Sequence, residues 1–218
     1  MASLTALVAL AGLAAAQRPI SPETHPRLPT YRCTKEGGCV AKDTSIVLDS
    51  LSRPLYQVNA PEYSCGSVGG PPNATACPDV ETCYENCVME GIDDYAPYGV
   101  TVDGDAVTLD MLDDEDISNI LTPRIYLLAE DDETYEMLQL TGSEFSFDVD
   151  VSKLPCGMNG ALYLSEMEAE GGKGELNEGG AVYGTGYCDA QCYIPPFSNG
   201  LVSSPDEATS PTRHQAET

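Results

Sequence analysis

Glu166-Met167-Glu168-Ala169-Glu170 sets three carboxyl groups at alternate positions. Alternate residues of an extended chain share one face, so this run would aim three acids at one place. Two acids suffice for glycoside hydrolysis, where one protonates the departing oxygen and the other attacks the sugar or activates water. The competing reading is a solvated face running into a turn at Gly171-Gly172. Cysteine is the second chemistry-bearing residue type. The chain has nine, and Cys83-x-x-x-Cys87 and Cys188-x-x-x-Cys192 carry a spacing that zinc tolerates. Neither pair has a histidine near it, and the start of the chain favours another use. Residues 1–16 read as a secretory signal peptide, with an apolar run from Leu4 to Leu13, small residues at Ala14-Ala15-Ala16 and Gln17 opening the mature chain. Secretion to the extracellular space lets cysteines pair as disulfides, and an odd count leaves at least one thiol without an intramolecular partner. Asn73-Ala74-Thr75 is an acceptor triplet for N-glycosylation in such a protein.

Bulk charge narrows the partners. Ten Lys and Arg against 35 Asp and Glu give a formal net charge of −25. Phosphate recognition needs clustered cations, so a nucleic-acid partner is excluded, and an anionic membrane surface is disfavoured. A neutral polysaccharide is indifferent to this charge. The runs Asp113-Asp114-Glu115-Asp116 and Glu130-Asp131-Asp132-Glu133 lack the glycine-centred spacing of a calcium loop and read as solvated turns. No metal and no cofactor is expected.

The elements that would position these residues are mostly strands. Arg18 to Pro29 is Pro-rich and reads as an extended lead-in. Cys33 to Cys87 holds six cysteines among Gly, Pro and Asn, with few runs long enough for a helix. Short strands are predicted at Ala106–Leu109 and Ile125–Leu128. Further strands are expected at Tyr135–Leu140, at Ala161–Leu164, and at Phe145–Val151, where Phe145, Phe147, Val149 and Val151 fall on one face. Thr141-Gly142 and the acidic cluster at 130–133 punctuate hairpins. Such spacing indicates an all-β sandwich of two antiparallel sheets. Residues 201–218 are Ser, Pro, Thr and Glu with hardly an apolar side chain, a composition that reads as a disordered tail.

Several blocks together carry a family resemblance. His25-Pro26-Arg27-Leu28, Tyr31 to Val40, Ala41 to Asp49 and Asn86-Cys87-Val88-Met89-Glu90-Gly91 come first. Pro123 to Leu128, Ser146-Phe147-Asp148-Val149-Asp150, Gly157-Met158-Asn159-Gly160-Ala161-Leu162-Tyr163 and Gly186-Tyr187-Cys188-Asp189-Ala190-Gln191-Cys192 follow in order. The chain resembles the fungal glycoside hydrolases of family 7 (cellulase family C), and their endo-β-1,4-glucanase branch more than the cellobiohydrolases. The lone cysteine of Asn86-Cys87-Val88 carries that last distinction. The resemblance covers residues 17–200 as a partial catalytic domain and implies a concanavalin-like β-jelly-roll, of which this is the N-terminal portion.

What the resemblance implies about chemistry is specific. Family 7 hydrolyses the β-1,4-glucosidic bonds of cellulose with retention, through a Glu-x-Asp-x-x-Glu motif whose carboxyls must stand about 5 Å apart. This chain has no such motif, and Glu166, Glu168 and Glu170 match a strand running into a Gly-rich turn, outside it. No catalytic residue is therefore assigned, and no hydrolase activity is expected of these 218 residues. Arg124, Asn159, Tyr163, Tyr187, Asp189 and Gln191 match residues that line glucose subsites. Tyrosine rings stack on sugar faces, and the polar groups bond hydroxyls directionally. Tyr163 and Tyr187 could equally fill the sandwich. The implied disulfides are Cys33 with Cys39, Cys65 with Cys87, and Cys77 with Cys83, leaving Cys156, Cys188 and Cys192 to partners further along the family's chain. The family's tryptophan platform is absent, with Ser50 and Pro54 near the matching positions. The expected partner is cellulose or soluble β-glucan, met by a monomer. The alternative is a non-catalytic glucan-binding protein with a lectin-like sandwich.

Overall fold

A computed structural model describes residues 18–19, 21–66, 73–113, 120–175, 177–187, 197–198 and 201–202. The signal peptide at 1–16, Asp189 and Gln191, Cys188 and Cys192, and most of the 201–218 tail lie outside these residues. In chain order the strands are β1 (Arg18–Pro19), β2 (Thr30–Thr34), β3 (Gly38–Lys42), β4 (Ser45–Leu48), β5 (Leu55–Gln57) and β6 (Ala60–Ser64). Helix α1 (Val80–Asn86) follows, then β7 (Cys87–Met89), β8 (Val100–Asp103), β9 (Ala106–Leu109), β10 (Ile125–Leu128), β11 (Phe197–Ser198) and β12 (Leu201–Val202).

β4 is the centre of the fold because it is buried on both faces. Period-two alternation sends Ile46 and Leu48 to one side and Val47 to the other. It pairs antiparallel with β10, Ile125 opposite Leu48 and Leu127 opposite Ile46. One core therefore gathers Ile46, Leu48, Ile92, Tyr95 and Val100, with Leu28, Ile125 and Leu127 packed against it. The other gathers Val47, Leu128, Tyr135 and Ala181, flanked by Tyr126 and Met167. The strands predicted at 106–109 and 125–128 are present within those bounds.

The four-stranded sheet runs β1-β7-β5-β6. Its β1–β7 pair is parallel, a departure from the all-antiparallel expectation. Disulfides join Cys33 to Cys39 across the β2–β3 hairpin, Cys65 to Cys87, and Cys77 to Cys83. These are the three pairs the resemblance implies. Closing loops in this way lowers the entropy of the unfolded chain, which suits a stretch with few apolar residues. Asp79 caps α1 by accepting from the Thr82 amide at 2.7 Å.

The Pro-rich lead-in is anchored rather than merely extended. Glu23 and Arg53 have fully buried side chains and meet in a two-point pair, Arg53 Nη2 donating to Glu23 Oε1 at 2.8 Å and Nη1 to Oε2. Arg53 Nη2 also donates to the Leu48 carbonyl at 3.0 Å. Glu23 accepts from the Tyr95 hydroxyl and, at 3.1 Å, from the Ile92 amide. Each lone pair of a buried carboxylate costs free energy unless a donor meets it, and here three residues, Arg53, Ile92 and Tyr95, do so.

Three expected strands are not formed. Residues 136–140, 145–151 and 161–164 have no strand, and Met137, Leu138, Leu140, Phe145, Phe147, Val149, Val151, Leu162, Tyr163 and Leu164 are exposed. Alternation gives a segment the side chains of a half-buried strand, but a strand also needs a neighbouring backbone to complete its ladder. Among the described residues no strand pairs with 137–140, 145–151 or 161–164. Only the start of the first stretch is held: Tyr135 bridges to Leu128, and the Glu136 amide donates to the Leu127 carbonyl at 2.9 Å.

Candidate functional site

The expected site residues divide into two groups. Arg124 and Tyr187 come together at the end of the β4–β10 pair, with the Arg124 guanidinium 4.4 Å from the centre of the Tyr187 ring. Asn159 and Tyr163 sit on the strandless segment, exposed, with Tyr163 68% accessible.

Local geometry explains the first group. Arg124 immediately precedes β10, and its carbonyl accepts from the Asp49 amide at 2.9 Å, which continues the β4–β10 ladder by one step. Tyr187 follows a turn at Gly180–Tyr183 that is fastened to β4. The Ser50 amide donates to the Gly184 carbonyl at 3.0 Å. Gly184 has φ +68°, and a Cβ there would stand 2.2 Å from the Leu48 carbonyl oxygen, so only glycine fits. Asn177 ties the same turn, donating to the carbonyls of Gly171 and Gly172 and accepting from the Gly180 amide. Tyr135 donates to the Thr185 carbonyl at 2.6 Å.

Two further residues complete the cluster. Asp49 is buried, accepts from the Tyr126 hydroxyl and from the Leu51 amide at 2.6 Å, and stands 3.6 Å from Arg124 Nη1. The Tyr126 ring lies 5.8 Å from Tyr187 and edge-on to Tyr135 at 5.4 Å. Burial pushes the Asp49 carboxyl above its ordinary value, while Tyr126, the Leu51 amide, Arg124 and Arg53 pull it back. Burial and then the Asp49 charge hold the Tyr126 hydroxyl far above the usual tyrosine range, so it remains a donor. Burial works against the Arg124 charge, but Asp49, Tyr126 and Tyr187 together outweigh it and hold the guanidinium above its ordinary value.

Sequence reasoning missed Asp49 and Tyr126. The register was the usable signal: Tyr126 pairs with Val47, so it must share the Val47 face, one step from Asp49. Covered by Tyr126 and Arg124, Asp49 orients those two groups and does not offer itself as an acid or base. The half-exposed guanidinium and the ring beneath it present donors and an apolar plane at the surface. A half-exposed guanidinium backed by an aromatic ring can donate to the hydroxyls of a sugar.

The other candidates lie elsewhere. Glu166, Glu168 and Glu170 are exposed and belong to no strand. Asn73 forms an Asx turn, its Oδ1 accepting from the Thr75 amide at 3.0 Å while Nδ2 donates to the Ser64 carbonyl. The acidic cluster at 130–133 is a turn, yet not merely solvated. Asp132 accepts from the Ser45 hydroxyl and stands 3.3 Å from His25 Nδ1, and Asp131 accepts from the Glu133 and Thr134 amides. Cys156 is an exposed free thiol.

The described residues form a mostly-β fold with an aromatic and polar cluster at the end of the β4–β10 pair, and the comparisons with known proteins make the class particular. Residues 18–217 match Glycosyl hydrolase family 7, and the chain belongs to that family. It is 56% identical over 203 residues to Endoglucanase 1 of Pyricularia oryzae, covering 92% of this chain and 47% of that protein. It is 52% identical over 207 residues to Endoglucanase EG-1 of Humicola insolens, again covering 92% and 47%. The native structure of Humicola insolens endocellulase EGI superposes with a TM-score of 0.79 at 53% identity, covering 85% of this chain and 47% of that one. An endoglucanase I complexed with cellobiose superposes with a TM-score of 0.75 at 48% identity, covering 85% and 46%. The fold is therefore the family's β-jelly-roll, and this chain spans about half the length of the curated relatives it matches.

Proposed function

We propose that this chain supplies part of the β-1,4-glucan cleft of a secreted family 7 endoglucanase, and that it recognises sugar without cleaving it. The observation that carries the reading is the Arg124–Tyr187 stack, buttressed from beneath by Asp49 and Tyr126. The fork of Arg124 donates to sugar hydroxyls, and the Tyr187 ring beneath it holds the guanidinium in place. Asn159 and Tyr163 extend the wall once their segment is paired. Asp189 and Gln191, which follow Tyr187 closely in the sequence, match glucose-subsite residues by the family resemblance. The cellobiose bound to one solved relative supports the substrate class.

Hydrolysis is a separate matter. Retention needs two carboxyl groups about 5 Å apart with one of them protonated. The 218 residues hold no Glu-x-Asp-x-x-Glu, and the described cluster offers one carboxylate already committed to its neighbours. Secretion is supported by the apolar opening of the sequence and by three disulfides, which persist in an oxidising compartment. A glycan on Asn73 is compatible with the turn, since Nδ2 keeps one hydrogen after attachment for Ser64.

Cellotetraose titrated into the purified chain tests the reading. Saturable binding that weakens about tenfold in Tyr187→Ala and in Arg124→Ala is expected, with no reducing sugar released from carboxymethylcellulose. Binding unchanged in both variants would overturn the site, and release of reducing sugar would overturn the negative statement about catalysis.

A further inference from the structure

Tyr135 and Glu136 are fixed through backbone and side chain alike, and they set the register of whatever follows them. Tyr135 bridges antiparallel to Leu128, and the Glu136 amide donates to the Leu127 carbonyl at 2.9 Å. The Tyr135 amide donates away from β10, to the Ala169 carbonyl at 2.8 Å, and the Glu136 carboxylate pairs with Lys42. β4 takes the bonds along one edge of β10, where the Asp49 amide reaches the Arg124 carbonyl. Alternation therefore turns the Ile125 and Leu127 backbone groups to the opposite edge, the one Glu136 has begun to fill. No described strand takes that edge beyond Leu127, and residues 137–140, next along the chain, lie exposed. Continuing the register sets Met137 opposite Tyr126, Leu138 opposite Ile125 and Gln139 opposite Arg124. Tyr135, Met137 and Gln139 share a face by period two, as do Leu128, Tyr126 and Arg124. Tyr135 and Leu128 pack in the same core, so both sets face the same way. Residues opposite one another stand about 5 Å apart at Cβ, within reach of long side chains.

We infer that Gln139 is a further glucan-binding residue, delivered to Arg124 when residues 137–140 close along the free edge of β10. The inference rests on the glucan reading of the Arg124–Tyr187 site. A guanidinium only donates, whereas sugar hydroxyls also seek acceptors, and the Gln139 carboxamide supplies one beside it. Met137 covers Tyr126 in the same movement. A short edge strand with one neighbour is marginal by itself, so the segment lies open without ligand. Sugar bridging Arg124 and Gln139 favours the closed arrangement, because only that arrangement makes both contacts.

Calorimetric titration of cellotetraose into the full chain and two variants is the test. Gln139→Ala removes the new contact, and Leu138→Pro removes the amide that meets the Ile125 carbonyl on closure. Each should weaken binding about three- to tenfold, the worth of one hydrogen bond. Both should leave the urea midpoint unchanged, because 137–140 is unpaired in the free chain. Binding lost in Arg124→Ala but unchanged in Gln139→Ala or in Leu138→Pro would overturn this inference and leave the glucan reading standing. A lowered urea midpoint in Leu138→Pro would show the edge already filled, and would overturn it too. No binding by the wild-type chain would overturn both readings.

Discussion

The β4–β10 pair and the stretch from 136 to 168 teach by contrast. Both are rich in apolar residues, in continuous runs in β4 and β10 and in alternation at 145–151. Phe145 to Val151 alternates as strictly as any segment of the chain, yet its side chains stand in solvent. Val47, Leu48 and Leu128 are wholly buried because each strand gives the other a ladder and the turn at 180–185 closes over them. Hydrophobic pattern is thus a demand for a partner, and it becomes structure only where the partner is present.

The sharpest way to break this contrast is to unpair the buried ion pair that ties the lead-in to the core. Arg53→Ala leaves Glu23 buried without its main counter-charge and should cost about 3–5 kcal/mol, read from urea unfolding. Leu48→Ala should follow at about 2–5 kcal/mol, whereas Phe147→Ala should stay within about 0.5 kcal/mol because its ring is largely exposed. Equal losses at Leu48 and Phe147 would mean the two regions are alike after all.

A smaller effect tests the cluster between them. The Asp49 pKa is raised in the folded chain, so its contribution is fully present below the unfolded pKa and is lost as pH rises through the folded value. Thermal midpoints measured from acid to neutral pH should therefore show a downward component that disappears in Asp49→Asn. A component of opposite slope would mean that the Arg124 and Tyr126 partners outweigh burial. The smallest effect belongs to Tyr187→Ala, which should leave stability nearly unchanged while lowering glucan affinity.

Much of this was legible in the residues. The IYLL run gave β10, and the ordered blocks from His25 to Cys192 gave the family and, as what the resemblance implies, the cysteine pairing, while β4 and its pairing with β10 were not read from the sequence. The anchoring of the lead-in was not legible, because Glu23 and Arg53 are thirty positions apart and nothing local marks either as buried. Asp49 and Tyr126 were hidden for a related reason. Tyr126 sits inside an apolar run, and its hydroxyl acquires a role only through cross-strand register. The three unformed strands failed in the opposite direction, since period alone cannot report whether a neighbour exists.

Hydrogen exchange, followed by mass spectrometry with and without cellotetraose, tests the central claim most directly. The amides of 45–48 and 125–128 should exchange slowly and those of 145–164 fast in the free chain. Added sugar should slow exchange further at 124–128 and 183–187. Protection of 145–151 equal to that of β4 in the free chain, or sugar-induced protection confined to 157–164, would contradict the account.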